Sequence, residues 1–166
     1  MKKLTLLTVI IVLFSVKFSF SQGYDFELQD LNGNYVKLSE QLNKGPVFLQ
    51  FWALWCIPCK EEMKHLNELY SKYQDSGFVY LAVNQDDPKS SSKVKSYIES
   101  KNYKMPVLKD EEKNVFEQYG GQNLPFSVFL NKNGDVTKTY TGYIQGDEAK
   151  LEEDIVNAIK EYKSGK

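Results

Sequence analysis

The chain has no arginine, and each of its 21 basic residues is a lysine. It therefore lacks the guanidinium group, whose planar fork binds carboxylates and phosphates through two hydrogen bonds. It also has one histidine and two cysteines among 166 residues. Zinc and iron–sulfur centres usually take four ligands, mostly from cysteine and histidine, so the chain lacks the donors for a site of that kind.

The two cysteines, Cys56 and Cys59, are three residues apart. A disulfide that closes so small a loop removes little entropy from the unfolded chain and stabilises a fold only weakly. Exported proteins usually use their cysteines for structural crosslinks, whereas this chain has one close pair and no other. The pair is therefore better explained by redox chemistry than by a structural role.

The N-terminal residues have the three parts of a secretory signal peptide. Lys2 and Lys3 precede an apolar run at residues 4–14, and a Ser-Phe-Ser sequence at residues 19–21 provides a small-x-small cleavage pattern. We therefore expect cleavage after Ser21 and export to the periplasm.

Cleavage would leave residues 22–166 as a single domain of about 145 residues, long enough for a sizeable core. The leader contains three lysines, so its removal changes the formal charge from −1 to −4. This mildly acidic balance gives no reason to expect nucleic-acid binding. The alternative to cleavage is a membrane anchor formed by residues 4–20, but Lys17 interrupts that run, which is short for a span of about 20 residues.

Strand and helix patterns alternate along the rest of the chain. We predict hairpin strands at 24–28 and 35–38, further strands at 47–52, 78–83, 105–108, 126–130 and 136–140, and helices at 39–42, 57–73, from 86–88 onward, 111–119 and 147–162. This order predicts an α/β sandwich in which helices flank a central mixed β-sheet.

Cys56 and Cys59 lie where the predicted strand 47–52 leads into the predicted helix 57–73. Free N–H groups and the positive end of the helix dipole favour a thiolate at the first cysteine. The second cysteine, one helical turn later, can attack a mixed disulfide and release the partner. Ile57 and Pro58, which separate the cysteines, tune the redox potential through the stability of this thiolate.

Three segments resemble the thioredoxin superfamily, and in particular its exported TlpA/ResA-like branch. They are Phe-Trp-Ala-Leu-Trp-Cys-Ile-Pro-Cys-Lys at residues 51–60, Glu-Glu-Met at 61–63 and Asn-Leu-Pro-Phe at 123–126. The resemblance covers nearly all of residues 24–162. It implies a thioredoxin-like sandwich with an N-terminal hairpin and an extra helix and strand at about 88–108.

The resemblance also implies roles for individual residues. Cys56 would be the exposed nucleophile and Cys59 the resolving thiol. Pro125 would follow a cis peptide bond and face the cysteines, which would leave backbone groups of Leu124 free to pair with an extended substrate. The apolar Leu124 side chain would make this groove hydrophobic, and Trp55 would form a flat apolar wall beside the nucleophile.

Glu62 follows Cys59 by three residues, so on a helix the two side chains point to the same side. An acid at this position is implicated in the thiol chemistry of the ResA-like branch, and a partly desolvated carboxylate can accept the Cys59 proton. The alternative is a solvated acid that stabilises the start of the helix, a role that Glu61 fits better. Gln50 occupies the position where thioredoxins proper have a buried aspartate, and because it cannot titrate it strengthens the case for Glu62.

We therefore expect an exported thiol–disulfide oxidoreductase that reduces protein disulfides and needs no bound cofactor or metal. By resemblance, a membrane thiol reductant of the DsbD or CcdA kind would recharge it, and apocytochrome c would be a typical client. We expect the protein to act as a monomer.

The sequence leaves two alternatives to this function. A thiol peroxidase of the peroxiredoxin type would share the fold, but such enzymes resemble one another in an arginine that this chain lacks. A thioredoxin-fold module that binds copper, or docks a partner without turnover, would use His65 together with Cys56 and Cys59. On a helix, however, His65 lies six residues past Cys59 and about 120° away from its face.

Overall fold

The computed structural model describes residues 24–165, so the predicted signal peptide at 1–21 lies outside the described residues. The strands are β1 (Glu27–Gln29), β2 (Tyr35–Lys37), β3 (Val47–Trp52), β4 (Val79–Asn84), β5 (Val107–Lys109), β6 (Phe126–Leu130) and β7 (Val136–Thr141). The α-helices are α1 (Leu38–Leu42), α2 (Ile57–Tyr73), α3 (Ser91–Ser100), α4 (Asn114–Gln118) and α5 (Asp147–Ser164), with 3-10 turns at Gln74–Ser76 and Pro88–Ser90. Over the described range, no helix is both long and apolar enough to cross a membrane.

Five strands form a mixed central sheet in the order β5-β4-β3-β6-β7. Strands β3, β4 and β5 are parallel, whereas β6 runs antiparallel to β3 and β7 antiparallel to β6. The central strand β3 is buried along its whole length, which explains its nearly continuous apolar sequence. Strands β1 and β2 form a separate antiparallel hairpin. The predicted α/β sandwich with an N-terminal hairpin is therefore confirmed.

The core lies in two layers, one on each face of the sheet, because side chains alternate along each strand. Phe48, Trp52 and Tyr80 face one layer, into which helices α2 and α5 pack residues such as Met63 and Ile155. The opposite layer holds the intervening strand residues together with side chains from the hairpin, α1 and α4. Gln50 lies two residues from both Phe48 and Trp52, so it shares their face of the sheet and points toward α2.

Several element boundaries differ from the predicted ones by a few residues, and two of these differences have a clear local cause. Leu38 begins α1 instead of ending the second hairpin strand, and its N–H donates to the Phe26 carbonyl at 2.9 Å. Helix α4 begins at Asn114, three residues later than predicted, because Lys113 adopts a left-handed conformation with φ of 61°.

The carboxyl ends of β3 and β4 hold the loop that leads to the cysteines. The N–H of Gln85 donates to the Trp52 carbonyl at 2.8 Å. The N–H of Leu54 donates to Asp86 Oδ2, also at 2.8 Å. Since parallel strands end at the same edge of a sheet, residues that follow β4 can anchor the segment that follows β3. The cysteines are thus placed at this edge.

Candidate active site

Cys56 and Cys59 form a disulfide at the N-terminus of α2, with their Cα atoms 5.3 Å apart. Cys56 is the N-cap residue and has extended backbone angles, and its Sγ accepts a hydrogen bond from the Cys59 N–H at 3.3 Å. Pro58 stands in the first turn, where a missing N–H leaves no helix bond unmade. The Cys59 N–H of this turn therefore points toward the Cys56 sulfur, and a negative charge on the sulfur is favoured there.

The prediction that Cys56 is exposed is wrong for the disulfide form. Cys56 is 4% exposed and Cys59 fully buried, because both pack into the core layer beneath α2. The exposed surface at this end of the protein comes instead from Trp55 and Ile57, which are 70% and 69% exposed. A partner would therefore meet these two apolar side chains before it reaches the sulfur atoms.

The peptide bond between Leu124 and Pro125 is cis. Leu124 is half-buried and packs against both core layers. Together with Trp55 it lines a cavity of about 230 Å³, whose other lining residues are Gln85, Lys113, Phe116, Gln122 and Asn123. Its lining combines three apolar side chains, Trp55, Phe116 and Leu124, with four polar ones.

Glu62 is 2% exposed, so it is not the solvated acid of the alternative interpretation. Its Oε2 accepts a hydrogen bond of 2.6 Å from Gln50 Nε2, and its Oε1 lies 3.5 Å from Ser127 Oγ. Burial raises the pKa of Glu62 from 4.5 to about 7, although the hydrogen bonds from Gln50 and Ser127 oppose this rise and the charge of Asp147 adds to it. A carboxyl group with a pKa near neutrality can both accept and release a proton.

Gln50 connects Glu62 to the cysteines. Its Nε2 also donates to the Cys59 carbonyl at 3.2 Å, and its Oε1 accepts a hydrogen bond of 2.5 Å from the Tyr80 hydroxyl. Tyr80 is fully buried, and burial raises its pKa well above the usual value, with the charge of Glu62 contributing. Its hydroxyl therefore stays protonated and serves as a donor.

Sequence analysis identified Gln50 as a non-titrating residue but missed Tyr80 and Ser127. All three are polar groups on strands that are mostly apolar. The sheet register aligns Gln50 with Ser127 on β6 and with Ala82 on β4, two residues from Tyr80. The presence of a polar residue in each buried strand was the available signal, but only the register shows that they meet.

A second cavity, of about 130 Å³, reaches Glu62 from another side of the protein. It lies between the end of β7 and the start of α5, and the other residues that line it are Tyr140, Thr141, Gly142, Tyr143, Asp147, Lys150 and Leu151. Trp55 and Leu124 do not line it. Glu62 thus lines a cavity that shares no lining residue with the cavity formed by Trp55 and Leu124.

His65, the third ligand of the copper hypothesis, lies on α2 and contacts residues other than the cysteines. Its Nδ1 is 3.8 Å from the Glu68 carboxylate, and its ring lies against Tyr143 with centroids 6.3 Å apart. Within residues 24–165, no group of three or more histidine, cysteine, aspartate and glutamate side chains is arranged to hold a metal ion.

Comparison with known proteins places this geometry in a family. The AhpC/TSA family profile matches residues 21–139, which is most of the chain. The chain belongs to this family. Among its curated relatives is the thiol-disulfide oxidoreductase ResA of Geobacillus thermodenitrificans, 40% identical over 130 residues that cover 78% of this chain and 73% of the relative. The ResA of Halalkalibacterium halodurans is 34% identical over 139 residues, covering 84% and 76% of the two chains.

A solved structure gives the same result for the fold. The crystal structure of a Chlorobium tepidum protein assigned as the thiol:disulfide interchange protein DsbE superposes with a TM-score of 0.76 and 30% identity. The match covers 83% of this chain and 95% of the other. With its paired Cys56 and Cys59, this member of the family is an enzyme, a thiol–disulfide oxidoreductase of the ResA/DsbE-like kind with a thioredoxin-like fold.

Proposed function

We propose that this oxidoreductase works outside the cytoplasm as a reductase of protein disulfides. The observation that supports this most directly is the arrangement along α2: an N-cap cysteine, a buried second cysteine and, one turn later, a buried carboxyl group. The signal-peptide pattern of residues 1–21 supports export with cleavage after Ser21.

In the first step, the Cys56 thiolate attacks one sulfur of a substrate disulfide. The substrate disulfide breaks, its second sulfur leaves as a thiolate that takes up a proton, and a mixed disulfide joins Cys56 to the substrate. The helix N-terminus stabilises the attacking thiolate, since the Cys59 N–H in its first turn donates to Cys56 Sγ and the positive end of the helix dipole lies beside the sulfur. Trp55, Ile57 and the backbone at Leu124 and Pro125 position the substrate segment.

In the second step, Glu62 accepts the proton of the Cys59 thiol, and the resulting thiolate attacks Cys56 Sγ. The mixed disulfide breaks, the remaining substrate sulfur leaves as a thiolate, and the Cys56–Cys59 disulfide forms. The substrate has gained two electrons and the enzyme has lost two. A thiol reductant must return those electrons, and a membrane carrier of the DsbD or CcdA kind fits an exported enzyme.

The client and the assembly are part of the same proposal. Apocytochrome c, whose haem-binding cysteines must be reduced before attachment, is the client that the TlpA/ResA-like resemblance favours. Catalysis by this scheme needs one chain, no cofactor and no metal, because both sulfurs and the proton acceptor lie on one helix.

Insulin-disulfide reduction by the recycled enzyme tests the two cysteine roles. We expect Cys56→Ser to abolish exchange and Cys59→Ser to accumulate mixed disulfides with substrate. A Cys59→Ser variant that traps no covalent partner would reverse or remove the assigned roles. The reduction potential of the pair tests the direction, since a potential as oxidising as that of disulfide-forming enzymes, about −120 mV, would contradict a reductase.

The pH dependence of the resolving step tests Glu62. Glu62 must be ionised to accept the proton, so the rate should rise through its pKa of about 7 and then level off. In Glu62→Gln the inflection should move up toward the ordinary thiol pKa of about 8.5. The exposed neighbour provides the control, Glu61→Gln, whose profile should match the wild type. An unchanged profile in Glu62→Gln would exclude Glu62 as the acceptor.

A further inference from the structure

A chain of three buried side chains runs from strand β4 to helix α2. The Tyr80 hydroxyl donates to Gln50 Oε1 at 2.5 Å, and Gln50 Nε2 donates to Glu62 Oε2 at 2.6 Å. Tyr80 and Gln50 are fully buried and Glu62 nearly so. Water therefore has little access with which to replace a bond that is lost, and each bond matters more than it would at the surface.

The chemistry of these groups fixes the orientation of the Gln50 amide. A phenol has one O–H to donate, and Tyr80 donates it to Oε1. The two hydrogens of Nε2 then face the Glu62 carboxylate and the Cys59 carbonyl, both of which are acceptors. A rotated amide would turn its oxygen toward two other oxygen acceptors and leave both unpaired. Tyr80 therefore stabilises the orientation that binds Glu62.

The two oxygens of Glu62 consequently have different partners. Oε2 faces an amide that can only donate, so a proton on this oxygen would displace a hydrogen bond. Oε1 faces Ser127 Oγ at 3.5 Å, a hydroxyl that can either donate or accept. The asymmetry makes Oε1 the oxygen that is free to take up a proton.

We propose that Tyr80 and Gln50 are positioning residues: they hold the Glu62 carboxylate through Oε2 and leave Oε1 as the oxygen that receives a proton. The relevance of this arrangement to turnover rests on the proposed role of Glu62 as the acceptor of the Cys59 proton. Because Gln50 also binds the Cys59 carbonyl, it joins the acceptor to the backbone of the residue that it would deprotonate.

Other ionisable groups also lie around Glu62, and among them the charge of Asp147 adds to the rise in its pKa. The ionisable groups near Glu62 are Cys59 on its own helix, Tyr80 on β4, Tyr140 on β7, Tyr143 in the following loop, and Asp147 and Lys150 on α5. None of them forms a hydrogen bond to the Glu62 carboxylate within the described chain. Gln50 is the group that binds it at short distance, so a change in that bond should affect proton affinity most directly.

The test is a titration of Glu62 by NMR, with glutamate labelled by carbon-13 at the carboxyl group. The oxidised protein is used because its cysteines do not titrate, and Glu62→Gln identifies the signal. Tyr80→Phe removes only the hydroxyl that orients the amide. We expect it to raise the proton affinity of Glu62 by about tenfold, since a hydrogen bond to the charged form is weakened. Gln50→Met removes the amide itself and should raise the affinity at least as much.

Matched variants separate positioning from packing. Tyr70→Phe is the control for Tyr80→Phe, because its ring lies 6.3 Å from the Tyr80 ring but outside the hydrogen-bonded chain. It should leave the titration unchanged. Ser127→Ala should have a smaller effect than Tyr80→Phe, and a larger one would mean that Oε1 holds the carboxylate, which contradicts the proposal.

Two results distinguish this inference from the proposed function. If Glu62 titrates at the wild-type pH in folded Tyr80→Phe and Gln50→Met proteins, the positioning proposal is overturned. If the titration moves as expected while Glu62→Gln leaves the resolving step unchanged, positioning stands and the proton-acceptor role fails. If both hold, Tyr80→Phe should also shift the pH profile of resolution upward, and this shift should vanish in the Glu62→Gln background.

Discussion

Replacing Glu62 by glutamine should make the oxidised protein more stable at neutral and alkaline pH. In the native state the carboxyl group is buried and its pKa rises from 4.5 to about 7. Glutamine is a neutral side chain of nearly the same shape. Its oxygen can accept the Gln50 hydrogen bond, and its amide can donate to Ser127. The substitution therefore removes a charge that is unfavourable in this environment without leaving a cavity.

The sign and size follow from proton linkage. Below pH 4.5 Glu62 is protonated in both the native and the unfolded chain, and its contribution to stability is fully present. Above that pH the unfolded chain ionises while the native chain stays protonated, so stability is lost until the pH exceeds about 7. At about 1.4 kcal/mol for each pKa unit, the loss amounts to about 3 kcal/mol in the free energy of unfolding.

Urea unfolding of the oxidised proteins, measured without reductant from pH 4 to pH 8, checks this prediction. The difference between Glu62→Gln and wild type is the quantity to follow, because the other carboxyl groups titrate equally in both. It should grow by about 3 kcal/mol between pH 4 and pH 8. The control is Glu61→Gln at the exposed neighbouring position, where no comparable growth of the difference is expected. A flat difference for Glu62→Gln would refute the elevated pKa and the reasoning built on it.

Two further substitutions test the exposed surface at Trp55 and the buried hydrogen bonds of Asp110. Trp55→Ala should raise KM for a protein disulfide about fivefold without changing the reduction potential, because it removes an exposed aromatic contact beside the cysteines. Tyr35→Ala, at a similarly exposed aromatic on the N-terminal hairpin, should change neither value, and equal effects of the two would contradict a docking role. Asp110→Ala should lower the free energy of unfolding by about 2 kcal/mol, because its buried carboxylate accepts two N–H groups at the start of α4 and the amide of Gln85. Urea unfolding measures this loss, and a loss no larger than that of exposed Glu112→Ala would contradict it.

Much of the fold follows from local sequence patterns. The apolar run of β3, the helical spacing of α2 and the Asn-Gly turn between β6 and β7 each predict one element in isolation. The start of α4 cannot be predicted from a local pattern, because it depends on a distant interaction. Asp110 binds N–H groups of Val115 and Phe116 and also the Gln85 side chain. No local pattern records that last contact.

The family, the redox pair and the candidate acid were accessible from the sequence for a physical reason. Their chemistry depends on spacing along one helix, and spacing is written directly in the order of residues. Cys56, Cys59 and Glu62 are spaced three residues apart, so a helix places them on consecutive turns.

Only the tertiary structure determines which of these groups are buried and which residues they contact. Glu62 and Glu61 are adjacent in sequence, yet only Glu62 is buried, because α2 turns that face onto the sheet. Tyr80 and Ser127 come from two other strands, and the register of β4, β3 and β6 brings Tyr80 to Gln50 and Ser127 to Glu62. Burial and hydrogen bonding determine proton affinity, and both depend on contacts between residues that are distant in the chain.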